Sequence, residues 1–253
     1  MNKNRRIVLL LGAALSILFV GCNKLEDYLK DDPLATYDQC RVEKMFWNYD
    51  GSILEMNVTY NKHGDPVSVI NPQGGTGSPN MLFKYDNKRR LTDYIIAYAN
   101  GGFEQWHQYV YDNKGRVIRD TAYMLGWNDN GVPADYYDGA VIYYEYDQYG
   151  RITHTSQDWW SYPGNPLETY YSYDAQGNQV VPGAVYDNKI SIHRTHRVWM
   201  FIDRNYSLNN CHATAYNANN LPTNLKLGWP NPSGTKFAGY YVGTLDSIVY
   251  KCK

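Results

Sequence analysis

Three things are scarce in this chain: surplus charge, long apolar runs and the spaced motifs of familiar catalysts. Lys and Arg number 24 against 25 Asp and Glu, a net charge of -1. With no basic excess to neutralise phosphates along a backbone, nucleic acid is not an expected partner. A mean hydropathy of -0.57 excludes a polytopic helical membrane protein. A content of 43% apolar and 15% aromatic residues excludes a disordered chain. There is no C-x-x-C, no H-E-x-x-H and no G-x-S-x-G, so zinc, zincin and α/β-hydrolase chemistry lose their usual handles. The run Gly74-Gly75-Thr76-Gly77-Ser78 lacks the Gly-Lys-Ser/Thr that grips phosphate; with Pro72 and Pro79 on either side it reads as a loop. Asn128-Asp129-Asn130 lacks calcium-loop spacing and its closing Glu. His193 and His196 lie three apart with no third ligand nearby in sequence, and are expected to be polar surface residues. No catalytic residue, metal or cofactor is therefore expected.

The one substantial apolar run, Ile7 to Val20, follows Lys3, Arg5 and Arg6 and is short for a membrane span. A basic n-region before such a run predicts a signal peptide over 1–21, removed on export. The run ends in Leu18-Phe19-Val20-Gly21-Cys22, which resembles the lipobox of bacterial lipoproteins, with Phe19 where Leu is usual. That resemblance implies diacylation of Cys22 and anchorage to the bacterial outer membrane, with the surface and periplasmic faces both open. Cleavage would shift the net charge to about -4. Residues 22–38, with Glu26, Asp27, Asp31, Asp32 and Pro33, are expected to be a solvated tether. With Cys22 lipidated, Cys40, Cys211 and Cys252 permit at most one internal disulfide, and spacing does not choose the pair.

What is plentiful is tyrosine: 26, against 7 Trp and 6 Phe. Many fall in a repeat. Tyr111-Asp112-Asn113-Lys114-Gly115-Arg116-Val117 matches Tyr146-Asp147-Gln148-Tyr149-Gly150-Arg151-Ile152, with looser copies beginning at Tyr60, Tyr85, Tyr173 and Tyr216. The physics of the unit is a strand, a short turn and a returning strand: Asp starts a type I turn and Gly takes the positive φ of the bulge after it. Asn220 tolerates that conformation; Arg89, at the same place, predicts a turn that differs or is strained. Tyr49-Asp50-Gly51-Ser52 predicts a tight hairpin. At Tyr186-Asp187-Asn188-Lys189, Ile190 occupies the Gly place, so the chain should leave the meander there. Residues 190 to 206 then cross as either a helical turn around Trp199 or a buried strand. Trp127 to Gly139 reads as an extended polar and aromatic loop. The fold expected is all-β, a single domain over 39–253: an antiparallel meander of about 12 to 15 strands curled into a part-closed barrel or sandwich, because open sheets seldom exceed ~10 strands without curling or splitting.

The Tyr-x-Tyr-Asp-x-x-Gly-Arg pattern at 109–117 and 144–152 resembles the YD repeats of rearrangement-hot-spot and teneurin-type proteins. Most of residues 40 to 253 also resembles a family of short lipobox-bearing Bacteroidota proteins of unknown function with a curled, porin-like sheet. These resemblances imply a fold and no activity. The function expected is a non-enzymatic envelope lipoprotein, a binding or interaction module for glycan or a surface protein. A hydrolase of envelope or dietary polymers, with Asp158 or Glu168 near aromatics, and a structural or assembly role in the outer membrane remain open alternatives. Ligand-binding candidates are the aromatics outside the repeat: Trp159, Trp160 and Tyr162 on one loop, with Trp127, Tyr136 and Tyr137 on the other. An exposed Trp beside Tyr offers a platform on which a sugar ring can stack.

Overall fold

The structure, a computed structural model, describes residues 28–29, 31–72, 79–211, 213–228, 236–240 and 243–253. The expected signal peptide, Cys22 and the Gly74–Ser78 loop lie outside the described residues. Fifteen strands follow in order: β1 (Cys40–Tyr49), β2 (Ser52–Tyr60), β3 (Pro66–Ile70), β4 (Asn80–Tyr85), β5 (Leu91–Ala97), β6 (Gly102–Tyr111), β7 (Val117–Asp129), β8 (Val132–Ala134), β9 (Asp138–Tyr146), β10 (Ile152–Trp159), β11 (Leu167–Tyr170), β12 (Tyr186–Ile190), β13 (Asn209–Cys211), β14 (Leu225–Lys226) and β15 (Thr244–Cys252). Thirteen form one antiparallel sheet, in which β11, β10, β9, β7, β6, β5, β4, β3, β2, β1, β15 and β14 are successive neighbours and β8 pairs with β7. The sheet is not closed into a barrel: β11 and β14 are its edges. β12 and β13 form a separate pair: the chain leaves the meander after β11, earlier than Ile190, and Tyr186–Ile190 is a strand of that pair rather than a failed turn.

Each element of the repeat has a physical task. In the turns, Asp112 Oδ1 accepts the backbone N–H of Lys114 and of Arg116, both at 2.9 Å, and Gly115 takes φ 77°. Asp86, Asp147 and Asp174 accept the same two amides, two and four residues on; Asn61 and Asn217 do so in the looser copies. The tyrosine reaches sideways to the preceding unit. Tyr85 donates its hydroxyl to Pro66 O, Tyr111 to Leu91 O, Tyr146 to Val117 O and Tyr173 to Ile152 O, at 2.6 to 3.0 Å. The Arg closes the lock: Arg90 lies 4.7 Å from the ring centre of Tyr111, Arg116 5.0 Å from Tyr146 and Arg151 3.9 Å from Tyr173, while each holds its own turn Asp. Burial pushes the phenols up, that of Tyr111 to about 12, so they remain donors at neutral pH.

Arg89 keeps the turn that its bulk opposes. It adopts φ 63°, and the turn carries the same backbone hydrogen bonds as its neighbours. Its guanidinium grips the buried Asp65 through two N–H bonds, 3.1 and 2.7 Å, and also donates to His63 O. Asp65 stands at the Arg place of the preceding unit, so the two irregular copies compensate each other.

One face of the sheet is apolar, with Met45, Met56, Val69, Phe83 and Leu245 among its buried residues. The crossing segment packs on it as a 3₁₀ turn (Ile192–Thr195) and a short helix (Arg197–Ile202), which settles the choice left open around Trp199. Trp199 meets Phe83 on β4, and Phe201 meets Tyr109 on β6 and Tyr144 on β9. In a flat sheet β4 and β9 would stand about 19 Å apart. The helix thus spans from β4 to β9 across the apolar face of the sheet.

Several local expectations change. His193 is buried, not at the surface: its Nε2 lies 2.8 Å from Lys236 O and 3.3 Å from the buried Asp203 carboxylate, because the crossing segment is the core layer. His196 is also largely covered and caps the helix, its Nδ1 accepting the Val198 N–H. The described part of the 22–38 tether is docked: Leu29, Ala35 and Tyr37 are buried, and Arg194 donates to Pro33 O and Ala35 O. The stretch from Trp127 to Gly139 is not one loop: β7 continues to Asp129 and turns through Asn130 and Gly131 into β8. Cys40 pairs with Cys252, joining β1 to β15, and Cys211 is buried outside that disulfide.

Candidate functional site

The predicted aromatics sit at the end of the sheet away from the Tyr-Asp turns, and two glycines make their arrangement possible. Leu125 takes φ 52° and bends β7, which lays Gly126 against Phe103, Ala134 and Tyr136. A Cβ at Gly126 would come within 2.7 Å of Ala134 O, so no side chain fits. After β8 the chain returns with Tyr137 N donating to Met124 O at 2.9 Å, which sets the Tyr136 ring against Tyr123, centroids 4.9 Å apart. Gly139 opens β9, and a Cβ there would collide with the Trp160 indole. Trp160 therefore lies on bare backbone, its main-chain N–H donating to Gly139 O at 2.9 Å. Its ring stands 5.5 Å from Tyr136 and 5.7 Å from Tyr123.

Of the six predicted residues the fold thus joins Tyr136 and Trp160, from two separate loops, around Tyr123. Tyr123 escaped the sequence reading because it lies on a strand with nothing local to distinguish it. Trp160 and Tyr136 remain 40% and 41% exposed. Trp127, Tyr137 and Tyr162 are more exposed and stand at the same end outside the ring cluster. Trp159, the last residue of β10, is half-buried.

Three of the acids nearby have partners of their own. Asp138 accepts from Ser161 Oγ and from Gly139 N, both at 2.7 Å, and these bonds hold its carboxyl below the usual range. Asp158 accepts from Gly164 N at 3.1 Å. Glu168 accepts from Ser156 Oγ at 2.9 Å and meets His154 Nε2 at 2.6 Å. Among the described residues no group of His, Cys, Asp and Glu is placed to hold a metal ion. A cleft of about 880 Å³ opens at the other end of the sheet, beside the Tyr-Asp turns, and contains none of the six candidates.

Compared with known proteins, the chain matches no family profile and no curated protein. Among solved structures it is similar to one described as the crystal structure of TcdB2-TccC3-Cdc42, at 14% identity and a TM-score of 0.27. That match covers 58% of this chain and 10% of the other, and at this score it carries no argument. The repeat-built β-sheet stands on the contacts described above.

Proposed function

We propose that the protein is an envelope lipoprotein, anchored through a lipid on Cys22, whose curled sheet acts as a non-enzymatic binding module for glycan. The observation that carries this reading is the grouping of exposed aromatic rings at one end of a rigid scaffold. Trp160 and Tyr136 share one cluster, with Trp127, Tyr137 and Tyr162 around it. Sugar rings present apolar C–H faces that stack on such surfaces, while polar groups at the rim pair with hydroxyls. Trp160→Ala and Tyr136→Ala, each tested against a glycan panel, should lose binding that the wild type has. A wild type that binds no glycan sinks the sugar reading. Cys22→Ala should release the protein from membranes; unchanged membrane association refutes the anchor.

The hydrolase alternative asks for a carboxyl with a raised pKa beside these rings. The described carboxyls that shift clearly are all lowered: Glu55, Asp65, Asp86, Asp112 and Asp138. Together with the loop-holding roles of Asp138 and Asp158 and the cross-strand pairing of Glu168, this favours the binding reading.

A further inference from the structure

The cleft beside the Tyr-Asp turns has an unbalanced charge. It lies between the tips of the turns, the docked segment before β1 and the start of the short helix. Four of its cations are matched: Arg89 by Asp65, Lys253 by Asp38, and Arg90 and Arg116 by their own turn aspartates. Four others, Arg41, Lys62, Lys88 and Arg197, have no carboxylate partner among the described residues. The remaining acid of the lining, Asp32, accepts the Leu34 N–H. A surplus of about three positive charges is therefore concentrated in one concavity of a chain whose net charge is -1. A recess walled by protein focuses such a field more than a convex surface does.

The donors are also arranged. Lys62 and Lys88 stand at adjacent places of successive turns, whose tips are two strand spacings, about 10 Å, apart. Arg41 is steadied by the Tyr60 ring, 4.8 Å from its guanidinium carbon, a stacking that leaves the N–H edge of the fork free to donate. Arg197 faces these residues from the crossing segment. The tyrosine hydroxyls behind them already donate to backbone carbonyls. A single carboxylate would balance only one of the surplus charges, whereas a group with two or more charges and several acceptor oxygens engages a fork and separate ammonium groups together.

We propose that this cleft binds a multiply charged oxyanion of the phosphate class, carried by a soluble phosphoester or by a lipid headgroup. It is a second site, independent of the aromatic end and of the glycan reading. The test uses the full chain with Cys22→Ala, so that a lipid on that residue cannot itself bring the protein to vesicles. Pyrophosphate is titrated calorimetrically at low salt into this protein and into Lys62→Glu, Lys88→Glu and Arg197→Glu forms of it. These three side chains are exposed, and unchanged melting temperatures would verify folding. Each reversal should weaken binding at least tenfold, and the triple reversal should abolish it. Co-sedimentation with phosphatidylcholine vesicles, with and without phosphatidic acid, separates the sources. Binding that requires phosphatidic acid and is competed by pyrophosphate assigns the headgroup; pyrophosphate binding without vesicle binding assigns a soluble ligand. Absence of both, or binding insensitive to all three reversals, overturns the site.

Discussion

Arg194 should be a keystone of stability although it forms no ion pair among the described residues. It is 1% exposed, and its guanidinium donates to four backbone carbonyls: Pro33 O at 2.6 Å, Ala35 O at 3.1 Å, Tyr206 O at 2.8 Å and Ser207 O at 3.2 Å. Its own carbonyl accepts the Tyr37 N–H at 2.6 Å. Burial pulls its pKa down to about 10, which still leaves it charged at neutral pH. Arg194→Met keeps much of the volume and strands the four carbonyls. Hydrogen bonds from a charged donor contribute about 1.5–3 kcal/mol each. Their sum overstates the effect, because Met also removes the cost of burying the charge. Each stranded buried acceptor costs about 1–3 kcal/mol, and with the charge's own desolvation cost removed we expect roughly 4 kcal/mol for the four together. That is a large part of the ~5–15 kcal/mol that ordinarily separates folded from unfolded chains. Urea unfolding at pH 7, followed by Trp fluorescence, reads the loss directly, with exposed Arg119→Met as a control expected within about 0.5 kcal/mol of wild type. If Arg194→Met falls within 1 kcal/mol of that control, the keystone argument is wrong.

Three further perturbations test the rest of the scaffold. The Cys40–Cys252 disulfide spans 212 residues, so loop-closure entropy predicts about 5 kcal/mol lost on Cys40→Ala, Cys252→Ala, measured by the same urea assay; a loss under 1 kcal/mol contradicts it. Tyr111→Phe deletes only the hydroxyl that donates to Leu91 O, and should cost about 1 kcal/mol; no change would mean that the Tyr-to-carbonyl lock adds no stability. His196 is held neutral by burial, its pKa lowered from 6.5 to about 4. The unfolded chain takes up this proton first as pH falls, so the contribution is complete above pH 6.5 and is lost progressively down to about pH 4, reaching at most roughly 3 kcal/mol. His196→Gln should flatten the stability curve in that window, and an unchanged slope rejects the assignment.

How far these features can be read without coordinates depends on how local their causes are. The turn at Asp112 and Gly115 is legible because a side-chain acceptor and a residue tolerant of positive φ act within five positions. The departure from the meander is misplaced by the missing Gly at Ile190, because it happens after β11 and rests on β12 pairing with the distant β13. The Arg of the repeat is legible only as a recurring letter, since its ring partner lies about 20 to 30 residues away in the next unit. Arg89 misleads because the residue that secures it, Asp65, belongs to another turn. His193 misleads similarly, since its spacing from His196 carries no trace of the layer covering it. At the candidate site, exposed aromatics outside the repeat can be chosen by exclusion, but Tyr123 cannot.

The sequence by itself determined a repeating antiparallel β-chain, because alternation along strands and the chemistry of Asp and Gly in turns act over a few residues. It also set tyrosine as the repeat's structural residue. Only the tertiary structure decided that the sheet remains open, that Cys40 meets Cys252, and that Tyr136 and Trp160 meet over Tyr123. It alone gathered the unpaired cations into one cleft. Those outcomes depend on pairing and packing between segments distant in the chain, which no local pattern specifies.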